Sequence, residues 1–332
     1  MFDTTNSPGT APVPQGDLRE RIGLTLPWAA PRALLDLVAR AEAAGVQQVW
    51  TNQNPTTTDA LTAFAAAFQH TTTIRLGTAV VPIYPRHPLA LAQQAATAAA
   101  LGPGRLRLGV GTSHGPMTEG VYGLKMDHPL EYLREYVEVL RAALWEGTVD
   151  YAGRFVTAKV KLNNPPRGDA TLPILMAALG ENAFRLAGEL SDGAISWTAP
   201  PRYLLDVALA ALREGARQAG RPAPPLIANV SIMLTTDEDA AREAARKELS
   251  GYTSLPFYRN MWAAAGYPVK SEGVVSDELI DNLVVIGDEA AVQARLQELL
   301  DSGLDELLVN GLSMGDLENE RERLIRFVGG LR

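Results

Sequence analysis

The chain has 332 residues, 46% of them hydrophobic and 20% charged, a composition typical of a globular protein with a sizeable core. Its net charge of −8 argues against a nucleic-acid-binding protein and against an acidic membrane surface as partner. The absence of cysteine excludes disulfides, zinc–thiolate sites and a cysteine nucleophile, and it fits a cytoplasmic protein. No apolar run reaches the roughly 18 residues of a membrane span. Residues 1–20 lack the features of a signal peptide and are predicted to form a mobile tail, or an arm held by a partner subunit.

From residue 21 onward, hydrophobic periodicity divides the chain into alternating strands and helices, with proline and glycine at many boundaries. The predicted strands are 21–26, 48–51, 75–81, 106–111, 173–179, 193–198, 226–235 and 306–310. The predicted helices are 31–44, 58–70, 89–101, 130–145, 182–190, 202–219, 237–249, 290–302 and 318–328, and a hairpin is predicted at 148–162.

This alternation predicts a (β/α)₈ TIM barrel formed by a single domain, residues 21–332. An open, doubly wound parallel sheet is the competing architecture. Residues 251–281 interrupt the alternation with several aromatic side chains, and we expect one extra helix there, in an insertion after strand seven.

Ligands of such folds gather at the carboxyl ends of the strands. After strand four, residues 109–114 (GVGTSH) resemble half of a dinucleotide fingerprint, but a third glycine, an immediate helix and a suitably spaced acidic residue are missing, so a Rossmann site is not expected. After strand five, the small residues of 177–182 (AALGEN) lead into a helix whose free amide N–H groups suit a phosphate, although close helix–strand packing explains them nearly as well.

Three tryptophans, Trp28, Trp50 and Trp197, fall at or just beyond the ends of strands one, two and six. They predict a flat, apolar substrate pocket, with core filling as the alternative. The four histidines have no metal-ligand spacing, and no metal site is expected.

Four segments together resemble the bacterial-luciferase-like superfamily of flavin- and deazaflavin-dependent oxidoreductases: LGTAVVPIYPRHPLALAQQA (76–95), GRLRLGVGTSH (104–114), HPLEYLREYVEVLR (128–141) and PILMAALGENAFRLAGELSDGAISW (173–197). They are most similar to the branch that uses the deazaflavin coenzyme F420. The resemblance implies a TIM barrel with an insertion after strand seven, a homodimer, and a cofactor lying across the strand ends. It also implies a non-prolyl cis peptide at Ala79–Val80, after strand three.

The resemblance further implies cofactor-binding residues. By position, Ala79 and Val80 would support the ring. The residues near the cofactor side chain would be Gly111, Thr112, Ser113 and His114, and those holding its phosphate end would be Ala177, Ala178, Gly180, Glu181 and Asn182.

One position departs from the family. An Asp-His pair that follows strand two in F420-dependent sugar-phosphate and secondary-alcohol dehydrogenases is replaced here by Asn52 and Gln53. A neutral amide cannot act as a general base near neutral pH, which disfavours alcohol oxidation by that mechanism. The candidate catalytic residues are therefore Gln53, Asn52 and His114.

These observations predict an F420-dependent oxidoreductase that moves a hydride between the deazaflavin and a small organic substrate, preferably reducing an activated C=C or C=O bond. An FMN-dependent monooxygenase of the same fold is the first alternative. A non-catalytic flavin- or deazaflavin-binding protein is the second.

Overall fold

The structure, a computed structural model, describes residues 17–26, 29–163 and 172–332. Most of the predicted N-terminal tail and the predicted pocket residue Trp28 therefore lie outside the described residues. The last residues of that tail belong to a helical turn, Leu18–Arg21, in which the Arg19 amide donates a hydrogen bond to the Asp17 carboxylate.

Eight parallel strands form a closed ring. They are β1 (Ile22–Thr25), β2 (Gln48–Thr51), β3 (Arg75–Thr78), β4 (Leu106–Gly111), β5 (Ile174–Ala177), β6 (Ala194–Ser196), β7 (Leu226–Leu234) and β8 (Glu306–Gly311). Neighbours along the chain pair in order, and β8 pairs with β1 to complete the ring. The predicted TIM barrel is confirmed, and the open-sheet alternative is wrong because no edge separates the first strand from the last.

Helices surround the ring, and their starts follow ordinary capping chemistry. Asp59, Asp237 and Asp288 each accept an amide hydrogen bond at a helix start, and proline occupies the first turn of several others. The helices are Leu18–Arg21, Pro31–Ala43, Ala60–Ala67, Pro88–Leu101, Gly115–Thr118, Pro129–Arg141, Glu181–Leu190, Pro201–Tyr203, Leu209–Gln218, Glu238–Leu249, Pro256–Ala264, Asp277–Leu283, Glu289–Asp301 and Leu317–Gly330. The predicted hairpin is present as Thr148–Ala152 and Thr157–Lys161.

The structure differs from the predicted elements at several places, of which three follow. The strand predicted at 75–81 stops at Thr78, and a separate pair, Val81–Pro82, joins β4 after the cis peptide Ala79–Val80, whose position the family resemblance anticipated. The segment 251–281 contains two α-helices, Pro256–Ala264 and the start of Asp277–Leu283, instead of one, and most of a 3₁₀ turn, Ser250–Ser254. An outer strand, Val284–Gly287, pairs with β7 and was not predicted, because its few residues directly follow a helix.

The barrel interior explains why Trp50 is not a pocket residue. Its indole is fully buried inside the ring, and the Nε1 atom donates a hydrogen bond to Gln48 Oε1 at 3.2 Å. Gly23 and Gly77 make room for it, since a Cβ atom on either would collide with the indole. The prediction that Trp50 lines the substrate pocket is therefore wrong; Trp50 fills the barrel core.

Beneath this tryptophan lies a buried ion pair. The Arg107 guanidinium donates to both carboxylate oxygens of Glu306, at 2.6 and 2.9 Å, and also to Gln48 Oε1 at 3.0 Å. The Arg107 guanidinium carbon lies 4.8 Å from the centroid of the Trp50 ring. The buried charges of Arg107 and Glu306 therefore neutralise each other, as burial of charge requires.

Within the described ranges, no helix is long and apolar enough to cross a membrane. The same residues contain no group of three or more histidine or acidic side chains arranged to hold a metal ion.

Candidate functional site at the carboxyl ends of the strands

A cavity of about 400 Å³ opens at the carboxyl ends of the barrel strands. It lies on the side of the mouth formed by β1, β6, β7 and β8 and extends to the start of the last helix, Leu317–Gly330. Of the residues predicted from the sequence for catalysis or binding, Asn52 and Trp197 line this cavity. Active sites of TIM barrels are found at this end of the ring.

Polar side chains from β7 and β8 form one side of the cavity. Asn310 Oδ1 accepts hydrogen bonds from Asn229 Nδ2 at 2.7 Å and from Ser231 Oγ at 3.2 Å. Asn229 Nδ2 also donates to the Leu308 carbonyl at 3.1 Å, which fixes the amide orientation. On the neighbouring strand β1, the buried Thr25 hydroxyl has no hydrogen-bond partner among the described residues. A ligand in the cavity would find this hydroxyl unengaged.

An aromatic wall closes another side. Trp197 Nε1 donates to the Tyr252 hydroxyl at 3.1 Å, and the Tyr252 ring meets the Tyr258 ring edge-on at 4.7 Å between centroids. Behind them, Trp262 Nε1 donates to the Thr198 carbonyl at 2.9 Å. Burial raises the pKa of Tyr252, so its hydroxyl stays protonated across the neutral range. The inserted segment thus packs onto the barrel mouth and holds Trp197 in place.

Three predicted cofactor-binding residues, Val80, Gly111 and Ala177, come together on the opposite side of the mouth. A Cβ atom built on Gly111 would lie 2.8 Å from both Val80 Cγ2 and Ala177 Cβ, so these three residues are in direct contact. The Val80 carbonyl accepts a hydrogen bond from the Gln53 amide at 3.2 Å, and the Ala79 amide donates to the Thr51 carbonyl at 2.8 Å. The bulge after β3 is therefore held by β2 and lies beside Asn52.

Gln53 is engaged in local structure. Its Nε2 atom donates to Asp59 Oδ2 at 3.2 Å, and its Oε1 atom accepts from the Ala60 amide at 3.2 Å. Burial acts to raise the pKa of Asp59, but hydrogen bonds from Thr62 and the nearby Arg86 charge outweigh it, and the net pKa is lowered. The Gln53 side chain thus binds at the start of helix Ala60–Ala67, through Asp59 and the Ala60 amide. Of the two residues, only Asn52 lines the cavity. A catalytic role for either remains a prediction.

His114 follows β4 and does not line the cavity. Its ring lies against Tyr258 and Phe257, at centroid distances of 5.4 and 6.2 Å. The buried Nδ1 atom has no hydrogen-bond partner among the described residues. Burial lowers the pKa of this imidazole, so it is neutral at neutral pH.

The predicted phosphate end of the site lies at the start of helix Glu181–Leu190. A Cβ atom on Gly180 would meet nothing within 4 Å, so the backbone faces open space there. Arg185 bonds Asn182 Oδ1 at 2.7 Å and Glu181 Oε1 at 2.5 Å, which places a cation beside the first helical turn. The roles of Gly180, Glu181 and Asn182, like those of Thr112, Ser113 and Ala178, remain predictions.

Several cavity residues were missed in the sequence: Ser231, Tyr252, Asn310 and Arg321. Two of them could have been identified from the sequence. Ser231 in β7 and Asn310 in β8 are polar residues near the end of an otherwise apolar strand, at positions that face the barrel interior. Arg321 has no such signal, because a charged residue on a surface helix is ordinary.

Comparisons with known proteins agree with this architecture. The family model described as luciferase-like monooxygenase matches residues 9–306. The F420-dependent glucose-6-phosphate dehydrogenase of Nocardia farcinica is 29% identical over 88% of this chain and 92% of its own.

Among solved structures, the coenzyme F420-dependent tetrahydromethanopterin reductase of Methanopyrus kandleri has a TM-score of 0.76 at 23% identity, covering 94% of this chain and 97% of that one. The oxygenating constituent of 3,6-diketocamphane monooxygenase from Pseudomonas putida, in complex with FMN, has a TM-score of 0.72 at 17% identity, covering 94% and 97%. The two structures share the fold of this chain. Because the family model covers most of its length, the chain belongs to the luciferase-like monooxygenase family.

Proposed function

We propose that this protein is an F420-dependent oxidoreductase that moves a hydride between the deazaflavin and a small organic substrate. The observation that carries the proposal is the pairing of two features at one mouth: a compact bulge at Val80, packed on Gly111 and Ala177, and an adjacent cavity of about 400 Å³ that Asn52 borders. The relative from Nocardia farcinica, an F420-dependent dehydrogenase, supports the choice of cofactor.

The residues present fit such a cofactor. Val80 is only partly buried although its neighbours are packed tightly, so its side chain is available to back a flat ring. Gly180 leaves backbone exposed to open space, and Arg185 brings a positive charge close by, as an anionic tail would need. We therefore assign the ring to Ala79–Val80, the side chain to residues 111–114, and the phosphate to the 177–182 segment.

When bound, F420 would supply or accept the hydride, and the protein would supply binding, orientation and exclusion of water. Val80 would support the ring from below. Trp197 and Tyr252 would shield the reacting atoms on the cavity side, and their mutual hydrogen bond keeps that wall rigid. Asn52 would donate a hydrogen bond to a carbonyl or similar acceptor on the substrate.

The direction of the reaction follows from the ionisable groups. Alcohol oxidation needs a base for the hydroxyl proton, and neither Asn52 nor Gln53 can serve. His114 does not line the cavity, and burial lowers the pKa of its imidazole, so the ring is neutral near pH 7 and can donate a hydrogen bond through its N–H group but is not an acid. We propose that the enzyme works as a reductase because no carboxylate–histidine pair follows β2, and its candidate catalytic residues are Asn52, Gln53 and His114.

The test is a side-by-side titration of the purified apoprotein with F420 and FMN, followed by turnover of reduced F420 with enones, nitro compounds and imines. Tight F420 binding and oxidation of reduced F420 by at least one acceptor are the expected results. Tight FMN binding without F420 binding would instead support the monooxygenase alternative. Tight F420 binding with no turnover across the panel would support a carrier.

Two further proposals rest on the family resemblance and composition: the enzyme is a homodimer, and it works in the cytoplasm on a small-molecule substrate. Sedimentation at several protein concentrations measures the first, and cell fractionation the second. A concentration-independent monomer would contradict the dimer.

A further inference from the structure

Arg321 is one of four charged residues that line the cavity, together with Glu248, Glu320 and Arg323. It lies in the helix Leu317–Gly330 and lines the cavity with a partly buried side chain. Within the described part of the chain, its guanidinium takes part in no hydrogen bond or ion pair, and its Nε atom is fully buried. Buried polar atoms in proteins are nearly always bonded, and one without a partner calls for an explanation.

The neighbouring charges do not provide that partner. Arg323, also at the cavity, is engaged by Glu289 at 2.8 Å and by the Leu234 carbonyl at 2.7 Å. Glu320 accepts the Met314 amide at 2.9 Å and forms no pair with Arg321. The protein therefore holds a guanidinium beside an open cavity and leaves its donors unused.

Arginine presents a planar set of donors that matches the two oxygens of a carboxylate or phosphate. The rest of the cavity offers an aromatic wall at Trp197 and Tyr252 and hydroxyl and amide groups at Ser231 and Asn310. Such a lining suits a small organic molecule that has an apolar ring or chain, a few polar atoms, and an oxyanion at the end next to Arg321.

We propose that Arg321 binds an oxyanion, a carboxylate or phosphate, carried by the substrate. This deepens the proposed function and rests on it, since the ring of the cofactor is assigned to the β3–β5 side of the mouth. The cavity with Arg321 lies on the β7–β8 side, so the anion belongs to the second reactant and not to the acidic tail of the cofactor.

The experiment measures binding of benzoate, benzamide and inorganic phosphate to the full-length apoprotein by titration calorimetry. Arg321→Gln is compared with the wild type and with Arg326→Gln, an exposed arginine on the same helix that does not line the cavity. The dissociation constant of benzoate is expected to rise about 10-fold or more in Arg321→Gln, the usual effect of losing a charge-assisted hydrogen bond. Benzamide should change less than about twofold, and Arg326→Gln should leave both probes unchanged.

Phosphate should compete with benzoate in the wild type, and Arg321→Lys should recover part of the benzoate affinity while keeping the charge. If Arg321→Gln does not fold, the Arg321→Lys variant and the phosphate competition still test whether Arg321 binds an oxyanion. Equal weakening of benzoate and benzamide would assign Arg321 a packing role and overturn the proposal, as would unchanged benzoate binding.

A fall in F420 affinity in Arg321→Gln that matches the fall in benzoate affinity would also overturn it, since the anion would then be the cofactor tail. Because the benzoate titrations use apoprotein, they stand even if the wild type fails to bind F420. Failure of the proposed function and failure of the Arg321 proposal are therefore distinguishable.

Discussion

The two ends of the barrel differ in how fully their buried polar side chains are hydrogen-bonded. At the amino end, Arg107, Glu306 and Gln48 satisfy one another beneath the Trp50 indole. At the carboxyl end, the Thr25 hydroxyl and the Arg321 guanidinium are left without partners in the described structure. The first arrangement stabilises the fold, and the second leaves donors available to a ligand.

The largest expected effect comes from the amino end, where the Arg107–Glu306 ion pair is buried. Glu306→Gln leaves the buried Arg107 charge without its counter-ion, and we expect a loss of about 3–5 kcal/mol in the free energy of unfolding. Urea denaturation measures it. Asp150→Asn, which removes an exposed ion pair with Lys159, is the control and should leave stability unchanged. A stability loss below 1 kcal/mol in Glu306→Gln would show that the buried Arg107–Glu306 pair does not stabilise the fold as we describe.

The second prediction compares two glycines at the mouth. Gly111→Ala forces a Cβ atom to 2.8 Å from Val80 and Ala177, and we expect a cost of about 1–3 kcal/mol from overpacking together with weaker F420 binding. Gly180→Ala meets open space and should leave thermal unfolding unchanged while weakening only F420 binding. Equal melting temperatures for the two variants would contradict the close packing around Val80.

The third prediction uses one substitution at two threonines. Thr78 Oγ1 donates to the Gly109 carbonyl and accepts from the Gly109 amide, both at 2.8 Å, so Thr78→Val should cost about 1–3 kcal/mol. Thr25→Val removes a hydroxyl that has no partner, so the free energy of unfolding should stay the same or rise by up to about 1 kcal/mol. Substrate KM is expected to increase in Thr25→Val. A clear destabilisation of that variant would mean that the hydroxyl serves the fold.

The smallest expected effect concerns pH. Burial lowers the pKa of His114 below the value of about 6.5 expected in the unfolded chain, so the unfolded state binds the extra proton first as pH falls. Stability contributed by the neutral imidazole is thus present above pH 6.5 and is lost as the pH falls below it. Denaturation at pH 7.5 and 5.5 should show a smaller pH-dependent loss in His114→Gln than in the wild type. His70→Gln, at an exposed site, is the matched control, and an identical pH dependence in all three proteins would exclude the assigned burial of His114.

The order of elements was predictable because it depends on local chemistry. Residues 48–51 and 106–111 were predicted with their observed bounds, since short apolar runs between glycine and proline have few alternatives. Gly111 ends β4 as the sequence predicted, whereas β5 ends at Ala177, before the predicted residue 179, and Val80 lies beyond the end of β3 at Thr78. Their mutual contact is a property of the closed ring, which brings β3, β4 and β5 side by side.

The sequence by itself determined the alternation of strands and helices, the lack of thiol chemistry, and the loss of the Asp-His pair at Asn52 and Gln53. The tertiary structure alone decided which tryptophan fills the core. Trp50 points into the ring where Gly23 and Gly77 leave room, whereas Trp197 reaches the cavity and bonds Tyr252, which follows it by 55 residues. It also left the Arg321 guanidinium at the cavity without a hydrogen-bond partner among the described residues. The physical reason is the same in both cases: burial and pairing depend on neighbours distant in sequence, and local periodicity contains no information about them.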